Sequence, residues 1–173
     1  MKPRTTLLLI ALACAAPVVL ATLAYYLDWA PGGTGNYGEL IPPRSASVPP
    51  LDKLRGKWVL VTFDASQCDA YCEKKLYYMR QTRRAQGKEQ GRIERLWLIS
   101  DGGTPRPELL AAIEGSHVTP APPGIGEYFP GTRADHIYLV DPLGNVMLRF
   151  PRDPDPKRII KDLNRLLKYS RIG

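Results

Sequence analysis

The sequence predicts an α/β domain of about 120 residues that follows one N-terminal membrane-spanning helix. The first observation behind this prediction is a run without charged residues from Thr5 to Leu27, since about 20 apolar residues suffice for a helix to cross a bilayer. The second is the alternation of short β-rich apolar runs with helical periodicity after residue 50. Such alternation is typical of parallel strands that are joined by helices.

The flanks of the apolar run predict its orientation. Lys2 and Arg4 precede the run and Asp28 follows it, so the positive-inside rule places the N-terminus in the cytoplasm and the chain after Asp28 in the periplasm. We therefore predict a cytoplasmic stub over residues 1–4 and a transmembrane anchor over 5–27 in the inner membrane. A cleaved signal peptide is the alternative, but its apolar region is usually only about 7–15 residues long.

Residues 28–50 are predicted to form a linker. The stretch 30–50 is rich in Pro and Gly, and this composition favours an extended, poorly packed chain. Within it, the apolar side chains from Tyr37 to Ile41 are numerous enough for this segment to dock on the domain. The domain itself is predicted to span residues 51–173.

The elements of the domain follow from the apolar periodicity. Buried strands are predicted at 58–63 and 95–100, a helix from near Cys68 to Gly87, a short helix at 107–113, a hairpin at 136–140 and 145–150, and a closing helix with an apolar stripe over 159–167. The loop 119–131 between the short helix and the hairpin is rich in Pro and Gly. The order β-α-β-α-β-β-α predicts a thioredoxin-like fold with a central mixed sheet.

The net charge excludes few classes of function, because its formal value is only +7. No segment resembles a nucleic-acid-binding module, and no site for a small-molecule substrate is evident. Many basic residues fall on one predicted helix and its end, where they suit anionic lipid headgroups or an acidic partner, although a solvated helix face is the more common situation. They are Lys74, Lys75, Arg80, Arg83, Arg84 and Lys88.

Cys68 and Cys72 are the candidate reactive residues. They lie between the first strand of the domain and its helix, where side chains at i and i+4 share one face and the helix N-terminus stabilises thiolates. A plain disulfide is the alternative outside the cytoplasm, but the stabilisation from so short a loop is small. The spacing therefore favours a redox-active or metal-binding pair, whereas Cys14 lies alone in the apolar run.

His136 is the candidate third ligand. It begins the predicted hairpin after the long loop, and a loop at this place in thioredoxin-like folds lies beside the start of the first helix. Two Cys and one His suit copper and also zinc. A histidine that merely forms a hydrogen bond at a strand end is the alternative, and His117 is a weaker candidate ligand.

With these residues assembled, the chain resembles the Sco (SenC-type) family of membrane-anchored, thioredoxin-fold proteins that deliver copper to cytochrome c oxidase. The resemblance rests on the Cys68-x3-Cys72 spacing, on Leu54-Arg-Gly-Lys57 before the first strand, on Asp101 with Thr104-Pro105, and on Asp135-His136. It implies that Cys68, Cys72 and His136 bind copper. Asp69 and Glu73 follow the cysteines where the family usually has proline.

Three functions remain open at this point. The first is a copper chaperone or assembly factor for a respiratory cytochrome c oxidase, with the oxidase's copper-binding subunit or another assembly factor as partner. The second is a thiol-disulfide reductase that keeps the cysteines of an acceptor reduced for metallation, in which Cys68 and Cys72 would be catalytic. The third is a structural membrane partner without chemistry at the cysteines.

Overall fold

The protein consists of an N-terminal helix and a folded domain, which form two separate compact units. The computed structural model describes residues 3–27, 35–46 and 48–172. Helix α1 (Pro3–Tyr26) is long and apolar enough to cross a membrane, and none of its side chains is buried. The predicted linker residues 28–34, and residues 1–2 of the predicted stub, lie outside the described residues.

The domain is built on one mixed sheet of six strands in the order β1-β6-β5-β2-β3-β4. Strands β2, β3 and β4 are parallel to one another, and β1, β6 and β5 join them as an antiparallel ladder. The bounds of the strands are Glu39–Ser45 (β1), Trp58–Asp64 (β2), Ile93–Ile99 (β3), His117–Pro120 (β4), Tyr138–Val140 (β5) and Asn145–Arg149 (β6).

Both faces of the sheet are covered, which explains the uninterrupted apolar run of β2. Along this strand Leu60 packs with side chains of the helices, whereas its neighbours Val59 and Val61 pack on the opposite face, as expected when successive side chains alternate. The helices are α2 (Ala70–Ala85), α3 (Pro107–Ala112) and α4 (Pro156–Tyr169). The predicted thioredoxin-like α/β class is confirmed. The seven predicted elements occur in the predicted order, and the described residues contain two further strands, β1 and β4.

The first strand differs from the sequence prediction, which assigned residues 28–50 to the linker. Glu39–Ser45 is a strand of the sheet and pairs with β6. The buried carboxylate of Asp162, on α4, accepts hydrogen bonds from the backbone N–H groups of Tyr37 (2.8 Å) and Gly38 (2.9 Å). The predicted docking of Tyr37–Ile41 therefore has a physical cause, since these contacts and the ladder fix the segment on the domain.

The short strand β4 lies where the sequence indicated a loop. It is an edge strand of four residues beside β3, too short for its apolar alternation to stand out. Its first residue is His117, whose Nε2 lies 3.2 Å from a carboxylate oxygen of Glu94. His117 thus belongs to the edge of the sheet and pairs with its neighbour strand.

Candidate redox and metal site

The two cysteines flank the start of helix α2. The helix begins at Ala70, two residues later than the sequence predicts, because Asp69 is the N-cap and its side chain accepts a hydrogen bond of 2.8 Å from the N–H of Cys72. Cys68 therefore precedes the cap and Cys72 is the third residue of the helix. Asp69, which stands where the Sco family usually has proline, is what ends the loop and starts the helix.

Cys68 and Cys72 form a disulfide, with 5.2 Å between their Cα atoms. Both residues are buried, with exposed fractions of 4 % for Cys68 and 1 % for Cys72. The backbone of Cys68 has a φ of +41°, which non-glycine residues adopt uncommonly and which often marks functional sites. The predicted meeting of the two sulfurs is therefore confirmed in the oxidised form of the pair.

A carboxylate anchors the loop that leads to Cys68. Asp101 accepts hydrogen bonds from the N–H and the hydroxyl of Ser66, and from the N–H of Gly103. The N–H groups of Gly103 and Ser66 lower the pKa of Asp101, because they stabilise its ionised form. The loop is thus tied to the segment that follows β3, on the same edge of the sheet.

Arg106 lies against the outer side of the same loop. Its guanidinium donates a hydrogen bond of 3.4 Å to the carbonyl of Cys68 and pairs with Glu73 at 2.5 Å. Glu73 directly follows Cys72, so a single arginine links the residues at the two ends of the cysteine motif. Arg106 is not among the predicted site residues, since nothing in its local sequence relates it to a motif more than thirty residues away.

A buried ion pair lies behind the cysteine motif. Lys75, one turn after Cys72 on α2, donates to Asp64 at 2.9 Å and is 1 % exposed. Burial raises the pKa of Asp64 and lowers the pKa of Lys75, and the opposite charge of the partner only partly offsets this. The charge pattern predicts that Lys75 lies with the basic residues of a surface, and this prediction is wrong because the residue points inward to the end of β2.

The loop that carries His136 is attached to the first turns of α2. The hydroxyl of Tyr71 donates to the carbonyl of Asp135 (2.9 Å), and Lys75 donates to the carbonyl of Ala134. Tyr71 is adjacent to Cys72 in the chain, so the predicted neighbourhood of the histidine loop and the cysteine motif has a structural basis in these two contacts.

The imidazole of His136 is oriented by a backbone carbonyl. Its Nδ1 lies 2.8 Å from the oxygen of Phe150, and because a carbonyl only accepts, Nδ1 carries the proton in this contact. In the neutral ring Nε2 then keeps its lone pair, which is the arrangement that metal-binding histidines commonly have. The ring is half-buried and packs edge-on to Tyr138, with ring centres 5.9 Å apart.

The three predicted metal ligands do not form one group in this conformation. Within residues 3–27, 35–46 and 48–172, no cluster of three Cys, His, Asp or Glu side chains is arranged to hold a metal ion. The cysteine sulfurs are bonded to each other, and disulfide sulfurs are not the thiolates that bind metals. The assignment of Cys68, Cys72 and His136 as copper ligands stays a prediction for the reduced protein.

A cavity of about 310 Å³ opens next to the histidine loop. It is lined by Phe63 at the end of β2, by Ser100 after β3 and by residues 131–134. The carboxyl ends of parallel strands are the usual place for binding sites in open α/β sheets. The cavity, the cysteine loop and the loop of His136 therefore share one edge of the domain.

The N-cap residue offers a direct test of how the helix start controls the thiols. Asp69→Ala removes a carboxylate next to both cysteines and frees the N–H of Cys72, so in the reduced protein we expect more thiolate and faster alkylation by iodoacetamide at neutral pH. The lost cap should cost about 1 kcal/mol of unfolding free energy.

Asp155 supplies the matched control, because it caps α4 in the same way through the N–H of Lys157 (2.9 Å). Asp155→Ala should cost about as much stability and leave the alkylation rate unchanged. Equal alkylation rates for both variants and the unmodified protein would contradict a role for Asp69 at the cysteines.

Residues 58–170 match the model of a family described as "Transmembrane-like, thioredoxin-like, C-terminal domain". No curated protein matches the sequence.

Several solved structures share the fold. Yeast Sco1 with copper bound is 17 % identical, with a TM-score of 0.60 over 80 % of this chain and 96 % of that one. ScoI of Bradyrhizobium japonicum with copper bound is 20 % identical, with a TM-score of 0.52 over 74 % of this chain and 98 % of that one. Apo Sco1 of Thermus thermophilus is 17 % identical, with a TM-score of 0.54 over 77 % of this chain and 95 % of that one. The resemblance to Sco proteins is thus confirmed at the level of the fold.

Proposed function

This chain belongs to the transmembrane-like, thioredoxin-like family, and on that premise we propose that it handles copper for the assembly of a respiratory cytochrome c oxidase. In the proposed cycle Cys68 and Cys72 are reduced, bind one copper ion as cargo, and pass it to an acceptor by ligand exchange. The acceptor is the copper-binding subunit of the oxidase or another assembly factor.

The observation that supports this proposal best is the cysteine pair at the N-terminal end of α2. The first turn of a helix presents unpaired N–H groups and the positive end of the dipole, and both stabilise thiolates. Reduction of the disulfide by an external dithiol consumes two electrons and two protons and yields two thiols. Copper binding then displaces the thiol protons, which leave to solvent.

His136 is proposed as the third ligand of the reduced site. Its Nδ1 is engaged by Phe150 and its loop is held to α2 through Tyr71 and Lys75. In the reduced protein a movement of this loop would bring Nε2 to the sulfurs. A set of two thiolates and one imidazole matches the preference of copper for soft and nitrogen ligands. Copper in the yeast and Bradyrhizobium Sco structures is consistent with this choice of metal.

The proposed topology places the domain in the periplasm, with α1 in the inner membrane. This follows from Lys2 and Arg4 before the apolar run and Asp28 after it. A membrane-bound carrier suits a membrane-bound acceptor, because the anchor keeps both in the same plane and raises their effective concentration.

The test is a titration of the reduced full-length chain with Cu(I) against a competing chelator, in an uncharged detergent and without oxygen. We expect one copper per chain, and a weakening of at least about tenfold in His136→Ala, as is common for disturbed metal sites. His117→Ala is the matched control and should leave the affinity unchanged. Absence of stoichiometric uptake would overturn the proposal, and equal effects of the two variants would remove His136 from it.

A thiol-disulfide reductase is the second candidate. It is favoured by the disulfide itself. It is also favoured because the described residues contain no group of three Cys, His, Asp or Glu side chains that could hold a metal ion. In this scheme the Cys68 thiolate attacks an acceptor disulfide and forms a mixed disulfide, and Cys72 then attacks Cys68 to release the reduced acceptor. Two electrons pass from the pair to the acceptor, and the pair ends as the disulfide seen in the structure.

A further inference from the structure

A second polar cavity lies at the opposite end of α2 from the cysteines. It encloses about 160 Å³ between the last turns of α2, the start of β3 and the turn after α3, and four arginines line it. Cys72 and Arg83 are eleven residues apart on this helix, which corresponds to about 16 Å along its axis. The cavity is therefore separate from the proposed copper site. Its arginines are Arg80, Arg83, Arg84 and Arg95.

Arg95 is a buried cation without a matching anion. Its side chain leaves β3 inside the domain, the residue is 3 % exposed, and Nη2 donates to the carbonyl of Glu114 at 2.8 Å. Its Nε and Nη1 are buried and have no hydrogen-bond partner among the described residues. A guanidinium stays charged in proteins and presents five N–H donors. The Arg95 guanidinium therefore has unused N–H donors and a charge that no carboxylate pairs with among the described residues.

The neighbouring arginines leave the charge uncompensated. Arg80 donates Nη1 to the carbonyl of Ala112 and Arg83 donates Nε to the carbonyl of Ile93, while the Nε of Arg80 is another buried donor without a partner in the described part of the chain. In the described residues none of the four guanidiniums forms an ion pair with a carboxylate.

Among the described residues that line the cavity, one is acidic. Glu114 lines it, and Glu94 on β3 attracts the charge of Arg95 but lies against His117 at 3.2 Å. Burial first, and then the positive charges of Arg83, Arg80 and Arg84, lower the pKa of Arg95. Four cations against one lining carboxylate give this cavity a positive potential, and a low-dielectric surround strengthens the attraction of any anion that enters.

We propose that this cavity binds a phosphate group, supplied by the headgroup of an anionic phospholipid or by free phosphate. Guanidinium groups match the oxygens of phosphate with paired hydrogen bonds, and the small volume suits one such group. Arg95 would form the floor of the site, Arg80 and Arg83 its walls, and exposed Arg84 its entrance. The inference is independent of the proposed copper function, because it uses none of the residues of that site.

The test uses the full-length chain in two arms. In uncharged detergent at constant ionic strength, titration calorimetry measures the binding of inorganic phosphate. In nanodiscs of phosphatidylcholine with or without phosphatidylglycerol, hydrogen exchange measures the protection of residues 80–95.

The variants are Arg84→Gln and the double variant Arg80→Gln/Arg84→Gln. Arg84 is exposed, so its replacement should not disturb folding. Lys161→Gln removes one charge from the exposed side of α4 and is the matched control.

We expect saturable binding or protection in the unmodified chain and in Lys161→Gln, with a loss of about tenfold or more in affinity for the double variant and a smaller loss for Arg84→Gln. Binding of inorganic phosphate supports the site with free phosphate as source, and protection only with phosphatidylglycerol supports it with a lipid source. The proposal is overturned if neither occurs, or if Lys161→Gln weakens binding as much as the arginine variants.

Discussion

Replacing Lys75 by methionine is expected to lower the free energy of unfolding by about 3–5 kcal/mol, the usual cost of breaking a buried ion pair from one side. Lys75 pairs with both carboxylate oxygens of Asp64, at 2.9 and 2.8 Å, and neither side chain is more than 9 % exposed. Without the ammonium group, the hydroxyl of Thr62 is the one side-chain donor to the carboxylate of Asp64 that remains among the described residues. Urea unfolding of the full-length chain measures the change.

The effect should depend on pH in a definite direction. Burial already raises the pKa of Asp64 in the native protein, and loss of Lys75 removes the charge that opposes this rise. When the pKa of a carboxyl group is higher in the folded than in the unfolded state, the group stabilises the fold at pH values below its unfolded-state pKa. That contribution is lost as the pH rises through its folded-state pKa. The deficit of Lys75→Met should therefore be smallest in acid and grow as the pH rises through the raised pKa of Asp64.

Two controls define the mechanism of this loss. The double variant Asp64→Asn/Lys75→Met removes the unpaired charge and should recover much of the stability. Lys74→Met removes the adjacent lysine, whose exposed pair with Asp153 is a surface contact, and should change stability far less. A deficit that is independent of pH, or equal in the Lys74 and Lys75 variants, would mean that the buried pair is not its cause.

The apolar pattern of the sequence was sufficient to predict seven elements of the domain and their order, but not the edge strands β1 and β4. The run from Trp58 to Phe63 is apolar because both faces of β2 are covered. Such a run can be recognised from the sequence alone. The pattern was insufficient for β1, because Pro42 and Pro43 mark a linker in the sequence. In the structure β1 lies at the edge of the sheet, with a register shift between Leu40 and Arg44, and edge strands and bulges tolerate proline.

The site was predictable only in part, for a related reason. The spacing of Cys68 and Cys72 is local and predicts that the sulfurs meet, although Cys68 lies in the loop before the N-cap and the two residues do not share a helix face. The partners of this motif come from distant positions, since Arg106 and Asp101 each lie more than thirty residues from the loop that they contact. The inward direction of Lys75 is another tertiary property, because the charge pattern of α2 does not distinguish it from the exposed Lys74.

Loss of the cysteines should abolish the proposed chemistry of the chain while leaving its fold. The loop closed by the disulfide is so short that the chain-entropy model gives about 2 kcal/mol for its removal, which a domain with a core on both faces of its sheet can tolerate. The double variant Cys68→Ser/Cys72→Ser is therefore expected to stay folded, as circular dichroism would report. It should take up no Cu(I), against one equivalent for the reduced unmodified chain.

Single replacement of Cys72 separates the two chemical functions. In a reductase, Cys72→Ser leaves Cys68 able to attack but unable to be released, so a covalent partner should accumulate on non-reducing gels, and Cys68→Ser should trap nothing. A copper carrier instead loses copper uptake to a similar degree in both single variants, because each removes one thiolate ligand. If cells that carry only the double serine variant still assemble an active oxidase, both chemical functions fail, and the chain acts through its surfaces alone.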